Sequence, residues 1–169
     1  TDNASFTIDG NELTINDSPN YTTKSSYSIR IETTDSANFT YEKSFTVTVV
    51  DATPPVITSG TTGTDLAENS GAGQTVYTIT GSDAVGVVSY AIGGTDAALL
   101  SLTGNVVSLD ANPDYENKFS YSFTVFANDA AGNTSAATTV TFSITNVDEV
   151  VPTITSSTTG NDLVENSGE

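Results

Sequence analysis

The chain has 169 residues, enough for one or two small domains. Asp and Glu number 21 against four Lys and Arg, a net charge of −17, so a basic face for nucleic acid or anionic lipid is excluded and divalent cations are favoured. Cys and His are absent, which removes a disulfide framework and the usual ligands of zinc and copper.

A disordered acidic chain would lack the 36% hydrophobic content and the regular alternation seen here. Residues 1–50 read as four strands. Ser5–Ile8 and Glu12–Ile15 form a hairpin about Gly10-Asn11, a dipeptide that tolerates φ > 0. Ser26–Thr33 turns Tyr27, Ile29 and Ile31 inward, and Ser44–Val50 turns Phe45, Val47 and Val49 inward. The opening strands of this unit are missing, so its core is expected to have an open side. Residues 51–55, DATPP, make a linker stiffened by two prolines.

Residues 51–149 read as seven short strands near 55–59, 74–80, 87–92, 99–103, 106–109, 119–127 and 138–145, with one helical turn allowed at 96–100. The pattern predicts an all-β fold, a seven-stranded antiparallel Greek-key sandwich of the Ig-like kind. Its expected core is Ile57, Leu66, Val76, Tyr77, Ile79, Val88, Tyr90, Ile92, Leu102, Val107, Leu109, Tyr121, Phe123, Val125, Val140, Phe142 and Ile144. The strand near 119–127 has the clearest period of two, and acids stand at both its ends: Asp114 and Glu116 before it, Asp129 after it. It therefore carries a carboxylate group at each pole.

The chain repeats itself. PPVITSGTTGTDLAENSGA (54–72) recurs as VPTITSSTTGNDLVENSGE (151–169), with Glu68 mapping onto Glu165, 97 residues on. SFTIDGNELTIN (5–16) matches LLSLTGNVVSLD (99–110), and SSYSIRIETTD (25–35) matches FSYSFTVFAND (119–129), both at an offset of 94. The three-residue difference is expected as a deletion in the loop after Asp35. The chain thus reads as an internal slice of a tandem array: the back half of one repeat (1–50), a complete repeat (51–149) and the first strand of a third (150–169). No apolar run approaches the ~18 residues of a membrane-spanning helix, and no signal peptide is recognised.

LAENSGAGQTVYTITGSD (66–83), DYE (114–116), FANDAAGN (126–133) and NVDEVVP (146–152) resemble the motifs of cadherin repeats, in the form found in tandem arrays of large RTX-type bacterial surface adhesins. The resemblance covers the whole central repeat. It implies calcium held at the junctions between successive repeats. Carried over residue by residue, it implies Glu68, Asp114, Glu116, Asn146, Asp148 and Glu149 at the C-terminal pole of the central repeat. At its N-terminal pole it implies Asp51, Asp83 and Asp129. The chain departs from the family pattern at Val85, where a second Asp belongs, and at Asn20, Tyr21 and Thr22, which stand for the acidic triplet. Val49, Val50, Asp51 and Ala52 are matched to the second junction's NVDE, leaving Asp51 alone of its acids. At most one ion is then expected at the first junction, and one or two at the second.

The residues themselves agree. Calcium takes six to eight hard oxygens, largely carboxylates and carbonyls, and a sandwich brings Glu68, Asp114, Glu116, Asp148 and Glu149 to one end. Without His no base is marked for nucleophilic catalysis, and no enzymatic site is expected. The expected function is a calcium-stiffened extracellular spacer of a cell-surface adhesin, its partners the neighbouring repeats of the same chain. Two other readings are a fibre or sheath subunit, whose open half-repeat is completed by homotypic contacts with neighbouring strands, and a carbohydrate-binding module, which would show an exposed aromatic platform.

Overall fold

In the computed structural model of the protein, residues 1–156 and 158–160 are described. Of the strand expected for a third repeat, the part at 161–169 lies outside the described residues, and the described stretch 150–156 carries no strand.

The first unit holds two hairpins, β1 (Phe6–Asp9) with β2 (Glu12–Ile15), and β3 (Ser26–Thr34) with β4 (Thr40–Thr48). The central unit runs β5 (Val56–Ile57), β6 (Leu66–Ala67), β7 (Gln74–Thr78), β8 (Gly81–Ser82), β9 (Val87–Gly93), β10 (Leu100–Thr103), β11 (Val106–Leu109), β12 (Ser120–Asp129) and β13 (Thr138–Thr145). A single 3-10 turn occupies Ala97–Leu99. One sheet has the order β10-β11-β7 and the other β6-β13-β12-β9, with β5 and β8 as a small separate pair. The two sheets face each other as a β-sandwich. All seven expected strands are present. β6 and β8 are additions, because two residues are too few to show a period. β6 also departs from the antiparallel expectation by pairing parallel to β13.

β12 is the spine. Tyr121, Phe123, Val125 and Ala127 are buried along one face, and Asp129 ends the same row, also buried. Tyr121 stacks on Phe142 at 4.8 Å, and Tyr77 meets Phe123 edge-on at 6.0 Å, so the aromatics of both sheets interlock. The expected core is buried or half-buried with one exception. Val88 is 62% exposed. The pairing of β12 with β9 joins Asn128 to Ser89 and then Asp129 to Val87, so Val88 is the extra residue of a β-bulge and is turned outward. Leu100 takes a core place that the alternation did not assign. Phe119, on the inward parity, precedes the strand and stays outside against Tyr115.

A device that pattern reading missed recurs in both units. Asp96 accepts from Ser122 N at 2.8 Å, its own N–H donates to Ser122 O at 3.1 Å, and Lys118 pairs with it at 3.0 Å while lying over the Tyr121 ring. Asp2, Ser28, Lys24 and Tyr27 repeat this arrangement 94 residues earlier. Each constellation pins a side chain to the outer edge of the spine strand.

The structure also relocates the length difference between the repeats. Val49 N donates to Ser25 O, and Ile144 N donates to Phe119 O, so the offset along β4 and β13 is 95. One residue is therefore lost in the β3–β4 loop and two in the linker. Val49 stands where Ile144 does, so the match of Val49 to Asn146 is corrected, while Asp51 and Asp148 share one local turn, each carboxylate accepting the N–H two residues on.

Candidate metal centres

Asp51, Asp83 and Asp129 come together at the N-terminal pole, with one carboxylate oxygen from each lying within 4.8 Å of the others. They arrive from the linker, the loop after β8 and the end of β12. Each is fixed by a local turn in which its carboxylate accepts a backbone N–H two residues on: Thr53 N at 3.0 Å, Val85 N at 2.7 Å and Ala131 N at 2.9 Å. Asn133 ties the group together. Its amide donates to Asp129 Oδ2 at 2.7 Å and to the Asp51 carbonyl at 3.1 Å, and its N–H donates to Asp129 Oδ1 at 2.8 Å. The FANDAAGN motif contained Asn133, but nothing in the sequence marked it as the bridge.

The second oxygen of Asp51 has no hydrogen-bond partner although the residue is only 6% exposed. A buried, unpartnered carboxylate oxygen is costly, and such groups are normally paired or bound to a metal. Asp51 Oδ2 therefore fits a missing cation in a way that three exposed acids would not.

At the C-terminal pole Glu68, Asp114 and Glu116 cluster to the same tightness. Glu68 is buried and accepts Val147 N at 2.6 Å and Tyr115 N at 3.1 Å. Asn146 donates its amide to Glu116 Oε1 at 3.0 Å. Asp148 and Glu149 stand outside the tight cluster. They line the same cleft of about 520 Å³, with Asp148 accepting Val150 N and Glu149 accepting the Asn69 amide. Lys118 is not a partner of Glu116, being held by Asp96.

No sequence family and no curated protein matches the chain. Solved structures do. Human protocadherin-24 EC1-2 superposes with a TM-score of 0.55 over 85% of this chain and 77% of that one, at 20% identity. Mouse cadherin-23 EC22-24 gives 0.55 over 85% of this chain and 50% of that one, at 19% identity. Human mucin-like protocadherin EC1-2 gives 0.51 over 85% and 79%, at 18% identity. The fold is cadherin-like. The chain spans only about half the length of the cadherin-23 structure and 37% of a protocadherin gamma B2 structure of extracellular cadherin domains 3-6.

Within this cadherin-like sandwich the two acid clusters differ in electrostatics. Burial pushes the Asp129 carboxyl up, but the donors of Asn133, Ala131 and Gly132 outweigh it and hold the pKa below the ordinary value. The Val147 N–H, helped by Tyr115, overcomes burial and lowers Glu68. Glu116 goes the other way. Its own backbone N–H pulls it down, but burial, a hydrogen bond shared with Glu68 and the charges of Glu68 and Glu149 together raise it. The C-terminal cluster thus sets two acids against each other, Glu68 lowered and Glu116 raised. The N-terminal cluster relies on amide donors and keeps one oxygen unsatisfied.

Proposed function

We propose that this chain is a calcium-binding extracellular spacer, a cadherin-like module of a repetitive bacterial surface adhesin, in which cations between successive repeats stiffen the array. Clustered carboxylates at both ends of one sandwich support this reading, and the buried orphan oxygen of Asp51 carries it. The donor set is all oxygen, which suits calcium. At the N-terminal pole Asp51, Asp83 and Asp129 would hold one ion. At the other pole Glu68, Asp114, Glu116 and Asn146 would hold ions directly, with Asp148 and Glu149 closing the cleft. The linker carries Asp51 and Asn133 already bridges to it, so a cation there locks the first unit's exit strand to the central sandwich. Thermal melting in millimolar calcium against chelator tests the reading. A clear rise in melting temperature is expected, and coincident curves would overturn it.

A further inference from the structure

The edges of the central sandwich are not equally guarded. β6 is two residues long and β10 four, and β7 receives Thr64 N on Val76 O at 2.7 Å. β9 has seven residues and stands at the end of its sheet, beside β12 and, among the described residues, beside no other strand. Natural sheets blunt such an edge with charge, proline or a bulge. β9 has only the bulge at Val88, and from Ser89 to Gly93 its register with β12 is unbroken. Residues 84–95 contain no charged residue and no proline, in a chain of net charge −17.

Hydrogen bonding along β12 shows which backbone groups of β9 are free. The N–H and C=O of Ser122 turn toward Asp96, on the β9 side, and those of Ala127 turn toward Ser135, on the β13 side. Thr124 and Phe126 share the parity of Ser122, so their pairs with Gly93 and Ala91 are the hydrogen-bonded ones. The N–H and C=O of Tyr90 and Ile92 therefore point out along the free edge. Their side chains pack against the core yet are only half-buried, and no residue of β9 is fully buried. The outward row of side chains is Ser89, Ala91 and Gly93, too small to block an approaching strand.

We propose that β9 pairs with β9 of a second copy, antiparallel about a two-fold axis at Ala91. The axis makes the contact self-complementary and uses up both edges, so it closes at two copies. With Ala91 facing Ala91, Tyr90 faces Ile92 on either side of the axis, and each of these pairs exchanges two backbone hydrogen bonds. A register centred on Tyr90 would draw the bulge at Val88 into the ladder, and one centred on Ile92 would draw in Gly94, whose φ of 89° is not that of a strand. Val88 falls opposite Gly94, where no side chain obstructs it. The occupant is a copy of this chain because the edge is neutral. A basic partner would be steered to the acids elsewhere, whereas two copies of charge −17 repel except along a surface that lacks acids. β9 runs along the sandwich beside β12, so the paired modules lie antiparallel, the N-terminal pole of one beside the C-terminal pole of the other.

The pairing does not involve the acid clusters at the poles, so its test is run in chelator. Sedimentation of the full chain over a concentration series is expected to show mass rising from the 17.5 kDa monomer toward the dimer, and more so in high salt, which screens the repulsion between copies. Ala91→Lys sets like charges opposite each other and lowers the association constant about fivefold or more, while Ala91→Ser preserves it. The chain has no Cys, so Ala91→Cys carries a single thiol. Cα atoms at a non-hydrogen-bonded antiparallel pair lie about 4.5 Å apart, within reach of a disulfide. Mild oxidation is expected to link Ala91→Cys into covalent dimers and to leave Ser143→Cys, exposed on the same sheet but away from the edge, monomeric. A chain that stays monomeric at every concentration and salt overturns the inference. So does association indifferent to Ala91→Lys, or equal cross-linking of the two thiol variants.

Discussion

The two poles of the central sandwich gather three carboxylates each and manage them in opposite ways. At the N-terminal pole, loops and linker supply the acids, backbone donors fix each one, and Asn133 binds two of them into one unit. That cluster is arranged ahead of any cation. At the C-terminal pole the Glu68 and Glu116 carboxylates crowd each other, Glu116 is raised, and Asn146 and Asn69 cap Glu116 and Glu149 with amides. That cluster has closed upon itself. Equal numbers of acids do not make equal sites. What matters is whether the fold aims donors at each acid or sets the acids against one another.

The largest test of this contrast is calcium itself. At about 100-fold excess over the dissociation constant, each occupied site adds about 2.7 kcal/mol to stability. Melting in calcium against chelator should therefore shift by more than any single polar substitution causes in chelator alone.

Asp51→Asn should separate the poles next. In chelator it replaces one acid of a crowded trio with a neutral amide whose N–H can donate to the neighbouring carboxylates, so the calcium-free chain should hold or gain stability. In calcium the response of the N-terminal pole should disappear while that of the C-terminal pole remains. Calorimetric counting of bound ions checks this. A large loss of stability in chelator would mean that Asp51 Oδ2 is satisfied in solution.

Glu116→Gln should act at the other pole alone. Without calcium near neutral pH it relieves the Glu68–Glu116 repulsion and raises the melting temperature slightly. With calcium it forfeits the C-terminal response, and the fold persists. A variant that fails to fold in excess calcium would assign Glu116 a purely structural role.

The smallest effect is the pH profile of the calcium-free chain. Glu116 has a raised folded pKa, so its contribution is fully present below its ordinary 4.5 and is lost as pH rises through the folded value. Glu68 and Asp129 are lowered from 4.5 and 3.8, so their contributions are present above those values and lost as pH falls through the folded ones. Stability should rise gently from neutral pH toward pH 4.5 and fall below the ordinary carboxylate range. Calcium should flatten the upper limb, because a bound cation offsets the Glu68 and Glu149 charges that raise Glu116. A steady decline from pH 7 to 4.5 in chelator would reverse the assignment at the C-terminal pole.

The sequence by itself determined the strands and the spine. A period of two is a local property of side chains on a pleated backbone, and the run from Tyr121 to Ala127 displays it without help from any neighbour. It also determined the repeat, because the residues that turn and pack recur at fixed spacing, and the motif resemblance named the acids that the fold then gathers. Only the tertiary structure decided the rest. β6 exists because the longer β13 offers it an edge, and β8 because the fold brings it beside the equally short β5. Val88 faces out because β9 bulges against β12, a matter of pairing register that its own alternation cannot reveal. The place of Val49 opposite Ile144 in the repeat is set by the strand partners of the two residues, which spacing along the chain does not reveal. The orphaned oxygen of Asp51, the bridge made by Asn133 and the twice-used Lys–Asp–Tyr arrangement are contacts across distant segments. Burial and hydrogen bonding depend on what the whole fold brings near a group, and no local spacing encodes them.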